Sequence, residues 1–150
     1  MATSKFQNLR AALVTAISAR LATDGVSDVE VFEYMPMGNA TREDQIWLGR
    51  ISVEQEPLSM GGTGRQVGET IRIDVSVRAP RYGSDQDDMK AAEQRAEAMW
   101  GSVENALRND SSVSSTVMFT DIDSFESIPD YDEHGAIGII EATIVGMSNI

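Results

Sequence analysis

The chain has 150 residues, 41% of them hydrophobic, which suits one domain burying roughly 70% of its unfolded surface. Cysteine is absent, excluding disulfides, thiolate metal sites and cysteine nucleophiles, and no run approaches the ~18 apolar residues of a spanning helix, so neither signal peptide nor membrane segment is expected. Twelve basic residues against twenty-four acidic ones give a formal charge of −12, which disfavours binding to a phosphate backbone and leaves two readings: solubility by self-repulsion, or a surface that stays near DNA without adhering to it.

In chain order, Ser4–Thr23 reads as a helix, with Phe6, Leu9, Leu13, Ile17 and Leu21 at three- and four-residue steps, Ser4 and Gln7 as a capping box, and Asp24-Gly25 as the stop. Val29–Tyr34 is a short strand closed by the turn-prone Met35–Asn39. In Gln45–Val53 the apolar parity switches around Gly49, predicting a bulge or a strand covered on both faces, with Trp47 at the rim of the sheet. Thr70–Val77 alternates cleanly, with Ile71, Ile73, Val75 and Val77 on one side and Arg72, Asp74 and Ser76 on the other. Between these strands lies the polar, glycine-bearing Glu54–Gly68, too long for a hairpin turn of about two to five residues and read as a projecting arm.

A second helix opens at Ser84-x-x-Asp87, buries Met89, Ala92, Ala96, Met99, Val103 and Leu107, and ends near Asn109, with Glu104 and Arg108 paired along it. After a serine-rich turn come strands at Thr116–Phe125 and Ala136–Met147, joined by an acidic turn, Glu126–His134. The order is helix, three strands, helix, two strands: an α+β domain with a mainly antiparallel sheet, both helices on one face, and the last strand, apolar on both faces, inside the sheet.

No catalytic constellation holds. Gly61–Gly68 lacks the third glycine of a dinucleotide fingerprint, where Val67 stands, and the lysine of a phosphate loop, and no helix follows it. Its glycines are read as conformational freedom, ordered on contact with a neighbour. The carboxylates of Asp121–Glu133 resemble hard-cation ligands, but Glu126 stands where a calcium loop needs glycine and Asp132 where it needs glutamate, so they read as a solvated turn. His134, the only histidine, has no serine elbow to serve and reads as a turn residue. Met35, Met37, Met60 and Met118 offer adaptable contact surface, whereas Met89 and Met99 read as core.

The opening Phe6-x-x-Leu9-x-x-x-Leu13, Val29-Glu-Val-Phe-Glu-Tyr34, Glu43-Asp-Gln-Ile-Trp-Leu-Gly-Arg50, the strand Gly68–Val77 and the helix end Val103–Asp110 together resemble the tail-terminator (tail-completion) proteins of long-tailed, siphovirus-type bacteriophages. The resemblance covers nearly the whole chain in element order and implies a virion subunit forming a ring, commonly a hexamer. Such a ring caps the tail tube and offers its other side to the head-tail connector or stopper protein, with DNA passing through its lumen. The resemblance implies no chemistry and no cofactor. On this reading Leu58, Met60 and Arg65 carry recognition by the arm, with Trp47 and Arg50 near the strand base. Two alternatives stay open: another neck or head-completion connector protein, or a small acidic metal-binding protein or enzyme using Asp121–Glu133.

Overall fold

The structure is a computed structural model that describes residues 6–37, 43–57 and 67–149. Helix α1 (Phe6–Thr23) forms on the expected stripe: Leu9, Leu13 and Ile17 are fully buried, Leu21 nearly so and Phe6 half-buried. It stops where Gly25 takes a left-handed φ of +72° and the Val26 amide reaches back to the Leu21 carbonyl at 2.9 Å. The Ser4 half of the expected capping box lies outside the described residues.

Strands β1 (Val29–Phe32), β2 (Asp44–Pro57) and β3 (Val67–Pro80) follow, then α2 (Gln86–Asn109), β4 (Phe119–Asp132) and β5 (Gly135–Asn149). One five-stranded sheet has the order β1-β2-β3-β5-β4, so the expected α+β order holds and the last strand does lie in the interior. On β3, period-2 geometry turns Ile71, Ile73, Val75 and Val77 towards the helices, all fully buried. Their partners Val53, Ile51, Leu48 and Ile46 on β2, and Gly146, Ile144, Ala142 and Ile140 on β5, continue the same face. Both helices cover it, and the core joins their stripes to these strands. At Gly138 a Cβ would stand 2.3 Å from the Ala92 carbonyl oxygen, so glycine there is what lets α2 press onto β5.

The parity switch at Gly49 is a bulge, the register slipping between Leu48 and Ile51, and β4 carries a second slip between Ile122 and Ser124.

Several expectations need correction. β1 ends at Phe32 rather than Tyr34 and pairs with β2 in parallel, while the other three pairings keep the sheet mainly antiparallel as expected. The β2–β3 ladder runs on to Pro57↔Val67, so both ends of the expected Glu54–Gly68 arm are strand and only 58–66 separates the two. Helix α2 is capped by Asp85, not Ser84: the Asp85 carboxylate accepts from the Asp88 amide at 2.8 Å and Asp88 returns the bond at 3.3 Å. Met89 is half-buried, and Trp100, Ser102 and Ala106 join the stripe. The acidic segment Glu126–His134 is mostly not a turn. β4 starts at Phe119 rather than Thr116 and continues to Asp132, so Glu133 and His134 alone reverse the chain, with Asp132 Oδ1 accepting from the His134 and Gly135 amides at 2.7 and 3.0 Å.

Candidate assembly surfaces

The β1 edge is fixed from the helix layer. Helical phasing puts Arg10 on the inner side of α1, three residues before Leu13, and its side chain is 6% exposed. Its guanidinium donates to the Glu33 carbonyl, to the Gly49 carbonyl at 2.9 Å and to the Leu48 carbonyl at 3.5 Å, and lies 4.3 Å from the centre of the Tyr34 ring. A buried cation therefore ties α1, the β2 bulge and the segment after β1 together through carbonyl dipoles and a π-face. Beyond this knot Tyr34, Met35 and Met37 are exposed. The exposed residues of α1 are uncharged and include Gln7, Asn8, Ala11, Thr15 and Ser18.

The β4 edge is guarded differently. The Ala136 amide and carbonyl bond to Gly83 and Arg81, away from β4. Its partner Tyr131 therefore points its own backbone groups outward, as do Pro129, Ser127, Phe125 and, beyond the bulge, Ile122. Pro129 has no N–H to offer. The Tyr131 amide is taken by the Asp130 carboxylate at 2.8 Å and the Ile122 amide by Asp121 at 2.8 Å. A long edge strand is thus stripped of several of its outward donors by its own sequence. At its start the side chains turn apolar: Met118 and Phe119, with Met147 alongside on β5, are exposed.

The sheet face away from the helices is largely polar, apart from the exposed Phe119, Ile128 and Met147. Arg72 lies 3.7 Å from Glu54 and 3.9 Å from Asp123, and Arg78 lies 3.2 Å from Glu141, so these cations are already paired. The β4 carboxylates Asp121, Glu126 and Asp130 alternate onto the same face through Val145, Glu141 and Ile137. At the far end of β2, Asp44 is gripped by Arg81 and Arg95 at 2.9 and 2.8 Å. Asp44 and Arg81 line an open depression of about 610 Å³ together with Asp28, Glu30 and Glu43. A hydrogen bond shared with Glu30, and the charge of that carboxylate, raise the Glu43 carboxyl above its usual range. So carboxylate-rich a depression repels anions. Among the described residues no group of three or more acidic or histidine side chains is arranged to hold a metal ion, and the extended β4 spreads Asp121–Asp132 over roughly 36 Å.

Of the expected contact residues, Trp47 is half-buried not at the rim but within the sheet, between Phe32 of β1 and Ser76 of β3, with the Arg78 guanidinium 5.2 Å from its ring centre, and Arg50 is exposed in the β2 bulge. Leu58, Met60 and Arg65 lie outside the described residues. Met35, Met37 and Met118 are exposed, as their reading as contact surface requires, and Met99 is core. Sequence reasoning missed Arg10, whose position in register with Leu13 and Ile17 was the available signal, and the Asp–amide caps of β4, which depend on an edge position that sequence does not reveal.

No protein-family model matches the chain. No curated protein matches it either. Among solved structures, a chain of the virion of a native gene transfer agent particle has a similar fold: TM-score 0.57 at 16% identity, covering 94% of this chain and 94% of that one.

Proposed function

We propose that this chain is a structural virion subunit that forms a ring, commonly of six copies, capping the tail tube and joining it to the head-tail connector. The observation that carries this reading is a fold shared over 94% of the chain with a chain of a virion particle, in a protein whose described surfaces carry exposed methionines and aromatics suited to protein contacts. The charge-paired, carboxylate-rich open face of the sheet suits a passage along which DNA moves without adhering, since like charge keeps the backbone off the wall. The 58–66 connection, with Leu58, Met60 and Arg65, contacts a neighbouring subunit or the tube, while Trp47, near the other end of β2, and Arg50 in the bulge offer a separate contact. The role is assembly rather than catalysis.

Native mass spectrometry, with and without tube protein, tests the proposal. A closed assembly at six times 16.3 kDa is expected, and a monomer at every concentration, alone and with tube protein, would overturn it. Copurification with a connector protein but not with the tube would move the subunit to another level of the neck.

A further inference from the structure

We propose that neighbouring copies of this chain join head to tail, Tyr34, Met35 and Met37 of one copy seating against Met118, Phe119 and Met147 of the next. The inference rests on the ring reading above and names the surfaces that close the ring.

Three observations carry it. The two patches lie towards opposite flanks of the sheet: the first follows β1, one edge strand, and the second stands at the start of β4, the other, and the end of β5 beside it, with Phe119 and Met147 on the open face in register with Thr70. Four interstrand steps of about 4.8 Å separate those flanks by about 19 Å. A contact pairing one flank with the other is heterologous, which repeats around an axis and closes when the rotation fits, whereas a two-fold contact would use one patch twice and leave the other bare.

Charge points to the same pairing. Two copies at −12 each repel, and juxtaposed like charges are costly. The six patch residues include no Asp, Glu, Lys, Arg or His, and the exposed residues of α1 are uncharged as well, while Glu33 beside Tyr34 stays at the margin. These are surfaces on which copies of an acidic chain can meet. Both carry methionine, whose flexible thioether adapts to a facing apolar surface.

Backbone chemistry disfavours the competing way of joining these flanks, leaving only part of β4, around Phe125 and Ser127, with outward amides. A strand added to β4 would need outward donors that Pro129 lacks and that Asp121 and Asp130 already hold. The contact is therefore made by side chains at the start of β4, not by extending the sheet.

The absence of native cysteine makes the test clean. Met37 and Met118 are 97% and 59% exposed, so Met37→Cys and Met118→Cys should fold. Treated with a short bismaleimide, the double variant Met37→Cys/Met118→Cys should give a ladder of covalent multimers, and each single variant monomer only. In native mass spectra, Met35→Asp/Met37→Asp and Met118→Asp should each fall from the ring to monomer while circular dichroism stays unchanged. Dimers from either single-cysteine variant, or Asp variants that assemble as the parent does, would overturn the pairing and leave the ring standing. A ring in the parent spectrum with no ladder from the double variant would do the same. A parent chain that stays monomeric would overturn both.

Discussion

The two flanks of the sheet are held by opposite means. Beside β1, four residues long, the hold comes from another layer: Arg10 reaches out of α1 to the carbonyl of Glu33, just past β1, and to those of Leu48 and Gly49 on β2. At β4, fourteen residues long, the guard is local, each of two aspartates closing the amide that follows it and a proline removing a third donor. A guard lent by the core is bound up with folding stability, because removing it orphans buried groups. A guard built from adjacent exposed residues leaves stability nearly alone and acts on association instead.

The largest expected effect follows from the first half of that contrast. Arg10→Ala strips a nearly buried cation from three carbonyls and unpins Tyr34 from α1. Bonds to charged groups contribute about 1.5–3 kcal/mol and do not add fully, so urea denaturation should show a loss of about 2–4 kcal/mol. The amides around Phe32–Tyr34 and the β2 bulge should lose protection in hydrogen exchange before those of β5. A loss below about 0.5 kcal/mol, the size of an ordinary surface change, would mean that Arg10 is not what holds the β1 edge.

The second prediction breaks the local guard. Asp121→Ala, Pro129→Thr and Asp130→Ala together restore outward donors along β4. Folded stability should move by no more than about 0.5 kcal/mol per site, while light scattering should rise with protein concentration as edges pair. Scattering that stays flat over the range in which the parent stays clear would show that the edge was never competent to pair and that the aspartate caps are incidental.

The contrast also explains what the sequence made legible. Helix α1, helix α2 and strand β3 announce themselves because each buries one face, and burial prints a period of 3.6 or 2 on the residues. Even the bulge at Gly49 was readable, since a slip of one residue must move the apolar positions to the other parity. Strand β4 was not. Only Thr120 of its fourteen residues is buried, so the strand is specified by the ladder of β5 beside it and not by its own pattern, and its carboxylates read as a turn. The parallel pairing of β1 with β2 was hidden for a related reason: a four-residue strand carries no mark of its neighbour's direction. At α2, Ser84 and Asp85 are both able to cap, and the bond returned by Asp88 decided between them. Arg10 was legible as a charged residue in a buried stripe, but its partners are carbonyls contributed by β2 and by the segment after β1, which no local pattern encodes.

The smallest effect separates the two flanks by pH. The chain enters β4 through a turn in which Val113, Ser114 and Ser115 all have left-handed backbones, φ of 47°, 56° and 63°, although none is glycine and Val113 is fully buried. Such residues persist only where their surroundings over-determine them. Asp110 does so here: its carboxylate accepts the Ser114 amide at 2.7 Å and the Ser112 hydroxyl at 2.8 Å. These bonds, the Ser114 amide first, hold the Asp110 carboxyl below its ordinary 3.8. A folded-state pKa below the unfolded one adds stability above the unfolded value, and that stability is lost as pH falls through the folded one. Acidification below about 3.8 should therefore loosen the turn and the Met118–Phe119 approach to β4, while the β1 flank, which Asp110 does not touch, keeps its protection. Residue-resolved hydrogen exchange between pH 5 and 3, within about one unit of the ordinary carboxylate range, follows both flanks in one sample. Asp110→Asn should already show the loosened turn at pH 5 and change little further on acidification; equal loss of protection at both flanks in the parent chain would place the acid response elsewhere.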